Sequence, residues 1–217
     1  MLNVEYARTQ MIAQQVRAWD VLDERVLRAL ESVRREEYVP EAYRELAFAD
    51  TAIPLGHGQA MLPPKVDGRI LQALDLSPTD EVLEVGTGSG YLTACLAALA
   101  GRIRSLEIYP DLAAQATRNL RAGGVTSASV ETLDALRIEE VGRYDAVVVS
   151  GSLPVYDMRF ERALRAGGRL YVVVGTSPVM EALLIRRDDG AAAVRTALFE
   201  TDIAPLVNAL QPPRFVF

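Results

Sequence analysis

The chain has 217 residues, a formal net charge of −6, half its residues hydrophobic and 24% charged. That length supports one sizeable core, so two full domains are excluded as the economical reading, and the mixed composition excludes a disordered chain. The acidic balance, with no run of Lys or Arg to make a basic stripe, disfavours nucleic acid as a partner. One cysteine (Cys95) and one histidine (His57) build neither a disulfide framework nor a Cys/His zinc site, so no metal is expected.

In chain order, residues 1–50 are expected to be helical: "TQMIAQQVRAW", "DERVLRALESV" and "PEAYRELAF" each place apolar residues three or four apart. Asp23 stands at an N-cap position and Pro40 at a first turn. The stretch 51–65, "TAIPLGHGQAMLPPK", carries two glycines and three prolines and is expected to be an ordered loop. Beyond it the period changes repeatedly. Strands are expected at 80–86, 102–108, "ASVETL", 144–150 and 169–175. Helices are expected at "GYLTACLAALA", at "PDLAAQATRNLRAGG" from Pro110 to Gly123 and Gly124, and at "MRFERALRAGG". Near-continuous Val runs indicate strands covered on both faces, hence a parallel sheet. The stretch "VMEALLIRRDDGAAAVRTALFET" reads as two strands about a turn at Asp189 and Gly190, an antiparallel edge. The start "MLNVEYARTQMIAQQ" lacks the basic and apolar regions of a secretion signal, and no stretch reaches membrane-span length, so a cytoplasmic address is expected.

The chemistry concentrates in "EVGTGSGY", residues 84–91. Strand, glycine loop and helix place a ligand outside the carboxyl ends of a doubly wound sheet. The spacing is G-x-G-x-G followed by an aromatic, not the G-x-G-x-x-G of a pyrophosphate site, and this points to S-adenosylmethionine rather than to a dinucleotide. Glu107 ends the second strand, where a carboxylate accepts both hydrogen bonds of a ribose diol. Asp134, after the third, is placed to accept from an adenine amino group. The expected cofactor-binding set is Glu84, Gly86, Thr87, Gly88, Ser89, Gly90, Tyr91, Glu107, Ile108, Asp134, Ala135 and Ser150, with the main-chain amides of 86–90 facing the carboxylates at 107 and 134. Gln59, Leu62 and Tyr156 are the substrate-side candidates. His57 is expected to stand behind the site or to face solvent rather than touch substrate, Trp19 to pack between N-terminal helices, and Cys95 to be a buried structural thiol.

From about residue 8 to 207 the chain resembles the protein-L-isoaspartate O-methyltransferase family. The likeness is carried by "VLEVGTGSGY", by "MIAQQVRAWDVLDERVLRALESVRREEYVPEAY" and "AFADTAIPLGHGQ", and by "LRAGGRLYVVVG" and "IAPLV", in order and spacing. It implies a seven-stranded Rossmann-like methyltransferase sheet of the α/β class, mostly parallel with an antiparallel edge strand and preceded by N-terminal helices. It also implies one methyltransferase domain over 1–217, with 1–65 a helical and loop segment and 66–217 the cofactor-binding core. By this resemblance the methyl of S-adenosyl-L-methionine esterifies the abnormal carboxylate of isoaspartyl residues in damaged protein or peptide, a repair reaction. An ionised carboxylate is a competent nucleophile at neutral pH, so no catalytic base is required. The chain departs from the family where Thr-Ile-Ser is usual: Ala60, Met61 and Leu62 stand there instead, two hydroxyls fewer. A more apolar or small-molecule acceptor, or a non-catalytic cofactor-binding protein, are the alternatives. A nicotinamide dehydrogenase is a further one, disfavoured by the glycine spacing.

Overall fold

The structure, a computed structural model, describes residues 4–188 and 193–213. The N-terminal region is helical as expected, although less regular. Helix α1 (Val4–Met11) tightens and loosens through a π turn (Ile12–Val16) and a 3-10 turn (Arg17–Trp19), which ends at Asp20 in the left-handed region at φ 58°. Asp23 caps α2 (Glu24–Ser32), its side chain accepting from the Arg25 amide at 2.8 Å. The segment beginning near Pro40 is a 3-10 run (Glu41–Leu46) rather than an α-helix.

Two features of 51–74 differ from the sequence reading. The expected loop is an antiparallel hairpin, β1 (Ile53–Gly56) and β2 (Gln59–Met61), whose turn holds Gly56, His57 and Gly58 at positive φ. An unforeseen helix, α3 (Pro64–Leu74), follows it, with Pro64 in its first turn and Val66, Ile70, Leu71 and Leu74 on its buried face.

The remaining elements follow the alternation read from sequence: β3 (Glu81–Val85), α4 (Tyr91–Ala97), β4 (Arg102–Glu107), α5 (Pro110–Ala122), β5 (Ala128–Thr132), β6 (Tyr144–Leu153), α6 (Met158–Arg162), β7 (Leu164–Thr176), β8 (Val179–Arg186) and β9 (Val194–Thr201). The sheet order is β5-β4-β3-β6-β7-β8-β9. The first five strands pair in parallel, and β8 and β9 close the sheet through antiparallel ladders. The turn expected at Asp189 and Gly190 lies outside the described residues. Helix α6 is shorter than expected because the chain re-enters the sheet at once: the Ala163 carbonyl accepts from the amides of Arg143 and Tyr144, and β7 starts at Leu164.

Alternation along the strands divides the core between the two faces of the sheet. Val82, Ile103, Val148 and Tyr171 pack with α2, α3 and α4, whereas Leu83, Leu106, Val147 and Val172 pack with Phe160 of α6 and with Ala135 and Ile138. Trp19 meets Phe199 of β9 edge-on at 5.3 Å, so it anchors the N-terminal region to the sheet. Cys95 is fully buried, and burial pushes its thiol pKa up. Among the described residues no helix is long and apolar enough to cross a membrane.

Candidate active site

The parallel register brings the carboxyl ends of β3, β4, β5 and β6 to one edge, with Val85 level with Leu106 and Val149, and Glu107 level with Thr132. The glycine loop crosses that edge. Gly86 has φ +92°, and a Cβ there would lie 2.5 Å from Ser150 Oγ; Gly88 has φ +55°, and its Cβ would meet Leu55 of the hairpin at 3.0 Å. Side chains are excluded from these positions by space as well as by backbone conformation. Of the loop amides expected to face the carboxylates at 107 and 134, that of Gly88 meets Glu107, while three others are taken up by main-chain carbonyls. The amides of Gly86 and Thr87 donate to the Leu106 carbonyl at 2.8 and 3.4 Å, that of Gly88 to Glu107 Oε2 at 2.9 Å, and that of Gly90 to the Thr87 carbonyl at 2.9 Å. The bonds lash the loop to the end of β4.

Two chambers lie on either side of this loop. The larger is walled by Gly86, Gly88, Glu107, Ile108, Asp134, Ala135 and Ser150, all expected from sequence, with Gln59 reaching in from the hairpin. The smaller is lined by Thr87, Ser89, Tyr91 and Leu62, together with Ala60, Met61, Arg35 and Asp67. Leu55 lines both. The hairpin carrying it is pinned across the site. His57 stacks on Tyr109 with ring centroids 4.0 Å apart, and its Nε2 lies 2.9 Å from Asp111 Oδ2 at the start of α5, which holds the Asp111 carboxyl below its usual pKa.

Three expected site residues stand elsewhere. Glu84 lies on the same face of β3 as Val82, turned toward α4 and fully buried. Its Oε2 accepts from Thr93 Oγ1 at 2.5 Å and Ser105 Oγ at 2.6 Å, and Ser105 Oγ in turn meets Thr87 Oγ1 at 2.6 Å. It lines neither chamber and supports the loop from below. Burial raises the pKa of its carboxyl to about 7 against the opposing effect of those two hydroxyls. Gly90 faces Leu120 and Ala116 of α5. Tyr156 is turned away because Asp157 caps α6 immediately after it; its hydroxyl donates to Glu161 Oε2 at 2.5 Å and its ring lies 4.3 Å from the Arg195 guanidinium.

The two carboxylates of the larger chamber are held in place. Glu107 accepts from Gly88 through one oxygen and from the Tyr109 amide at 3.1 Å through the other. Asp134 caps the turn Ala135–Arg137 through Leu136 and accepts from Asn208 Nδ2 at 3.0 Å. Asn208 belongs to a segment that sequence reading did not place: residues 204–206 run along Ser152 of β6 in a short parallel bridge, and Leu206 and Val207 thereby close the chamber. Arg35 and Asp67 were also missed. Arg35 is fully buried; it donates to Asp67 Oδ2 at 2.8 Å, to the Ala47 carbonyl at 2.9 Å and to the Leu62 carbonyl at 2.6 Å, and lies 4.7 Å over the Tyr91 ring. A signal existed for Asp67, a carboxylate on the apolar stripe of "PKVDGRILQAL".

Residues 7–211 match the family model described as protein-L-isoaspartate(D-aspartate) O-methyltransferase. The chain belongs to this family. A protein-L-isoaspartate O-methyltransferase of Koribacter versatilis is 36% identical over 202 residues, 93% of this chain and 90% of the relative. One of Marinobacter nauticus, "Protein-L-isoaspartate O-methyltransferase 2", is 38% identical over 178 residues, 82% of this chain and 81% of the relative. Among solved structures, one from Plasmodium falciparum described as a protein-L-isoaspartate O-methyltransferase in complex with S-adenosyl-L-homocysteine superposes with a TM-score of 0.79. It covers 95% of this chain and 99% of its own at 19% identity, a likeness of fold. Membership removes the dehydrogenase alternative, in agreement with the sheet, whose closing strands are antiparallel.

Proposed function

We propose that this chain is an S-adenosylmethionine-dependent O-methyltransferase acting on the abnormal carboxylate of isoaspartyl residues in protein or peptide. The observation that carries the reading is the match of residues 7–211 to the family. The two chambers support it, since a donor and an acceptor need adjoining sites with one shared boundary.

The residues present fit the donor. Gly86 and Gly88 leave a cradle that a Cβ would fill, and the wall beyond it carries two carboxylates already oriented by backbone amides. Glu107 is assigned to the ribose diol, because each of its oxygens retains acceptor capacity beyond the amide it binds. Asp134 is assigned to the adenine amino group, with Ile108 and Ala135 as apolar neighbours and Leu206 and Val207 as the cover. Ser150, within 2.8 Å of the Gly86 carbonyl, keeps the loop seated. When bound, S-adenosylmethionine supplies an electrophilic methyl group on a sulfonium. The chain then has to orient the acceptor and exclude water, which Leu55, Ala60, Met61 and Leu62 do by walling the smaller chamber with apolar groups. The acceptor carboxylate is ionised at neutral pH and needs no base. Gln59 offers an amide at the mouth of the larger chamber. Because residues 1–65 supply Arg35 and the hairpin, the whole chain is taken as one functional domain.

The test is a calorimetric titration with S-adenosylhomocysteine, followed by methyl incorporation into an isoaspartyl peptide beside its aspartyl counterpart. Binding with transfer to the isoaspartyl peptide alone is expected. Tight binding without transfer removes the acceptor assignment, and absence of binding removes the whole reading.

A further inference from the structure

The methyl-transfer reading leaves the buried ion pair of the smaller chamber without a task. A buried pair is weak evidence for stability, because desolvation of both ions offsets their attraction, so its value is sought in what it holds. Arg35 holds two chamber walls: the Leu62 carbonyl at 2.6 Å, at the end of the segment 60–62, and the Tyr91 ring, which opens α4 behind the glycine loop. It is also the only cation lining this chamber among the described residues, and Ala60, Met61 and Leu62 bring no side-chain donor. Its counter-charge is Asp67, 2% exposed on α3.

We propose that Arg35 is a positioning residue for the acceptor: it fixes the 60–62 wall through the Leu62 carbonyl and supplies the positive charge of the chamber that receives the acceptor carboxylate, a charge that ionised Asp67 offsets. The inference rests on the proposed function. Fully buried, Arg35 acts through the wall and through its field. Burial raises the pKa of the Asp67 carboxyl to about 7, although Arg35 opposes the shift. The other ionisable groups coupled to Asp67 are Glu84 of β3, Tyr91 and Cys95 of α4, and Tyr171 of β7. Of these, only Glu84 has a raised pKa that also stands at about 7, and the rise in the other three keeps them neutral there.

The experiment measures the acceptor KM for the isoaspartyl peptide and the Kd for S-adenosylhomocysteine in the full chain and its variants. Asp67→Asn keeps the shape of the pair and removes its negative charge, so the acceptor KM is expected to fall about three- to tenfold with the S-adenosylhomocysteine Kd within about twofold. Arg35→Lys keeps the charge but loses the fork that binds three partners, and is expected to raise the acceptor KM about tenfold. Between about pH 6 and pH 8.5 the wild-type acceptor KM is expected to rise as Asp67 ionises, and that rise is expected to shrink in Asp67→Asn. An acceptor KM that is unmoved or raised in Asp67→Asn overturns the proposal and leaves the pair a structural one. Should Arg35→Lys fail to fold, the isosteric Asp67→Asn decides alone. Wild-type protein that transfers no methyl to the peptide is a failure of the proposed function, and the inference falls with it.

Discussion

The two chambers share a boundary but are built on different principles. The larger is made where consecutive parallel strands end at one level, so Gly86, Glu107, Asp134 and Ser150 reach it from four neighbouring strands. Its two carboxylates are oriented by main-chain amides, two positions away at Tyr109 and Leu136 and across the strand pair at Gly88. The smaller is assembled from distant pieces, a turn at Arg35, a hairpin, a helix start and the far side of the glycine loop, and is held by one buried ion pair. A chamber fixed by sheet register tolerates change in its surroundings. One fixed by a few long-range contacts is sensitive to it.

The sharpest way to break this contrast is at Glu107. Glu107→Ala removes the proposed ribose acceptor and strands the Gly88 and Tyr109 amides, so S-adenosylhomocysteine affinity should fall by about 2–3 kcal/mol, or about 30- to 150-fold, in calorimetry. Gly86→Ala should come next. Its Cβ must displace Ser150 Oγ at a positive φ, costing about 1–2 kcal/mol of stability and roughly tenfold in affinity, read as a lower Tm and a weaker Kd. A smaller effect is expected from pH. Asp67 and Glu84 have folded-state pKa values raised to about 7, above their unfolded values, so the native state binds more protons than the unfolded one between about pH 4 and 7. Stability should therefore fall as pH rises through that window and level off above it; in Glu84→Gln, a neutral mimic, the slope of Tm against pH should flatten. The smallest change should come from restoring hydroxyls to the apolar wall. The double substitution Ala60→Thr with Leu62→Ser should raise kcat/KM on the isoaspartyl peptide by about threefold while leaving S-adenosylhomocysteine binding unchanged.

What was legible in the sequence follows the same division. Strand ends in a parallel sheet are a short-range property: a Val run followed by glycines, then a carboxylate at the next strand end, marked the polar wall of the larger chamber at Gly86, Gly88, Glu107, Asp134 and Ser150, but not its apolar cover. Glu84 shows where that logic stops, since proximity to the loop says nothing about which face of β3 a side chain takes, and its period with Val82 sends it under the loop instead of into the cleft. Arg35 was illegible because its three acceptors, Ala47, Leu62 and Asp67, lie 12, 27 and 32 positions away. Helix α3 was missed although Pro64 and the spacing of Val66, Ile70 and Leu74 marked it. The hairpin was hidden by its brevity, three- and four-residue strands around a turn rich in glycine. Tyr156 was drawn to the site by its place after β6, and the capped start of α6 took it elsewhere.

Leu55, on the pinned hairpin, is a wall of both chambers. Any displacement that one ligand imposes on that side chain is felt by the other, and thermodynamic reciprocity makes the factor identical in both directions. Ala60, Gly86, Gly88 and Ser150 also line both chambers, but Leu55 brings the largest side chain to the boundary, so its truncation is expected to weaken the coupling between the two occupancies.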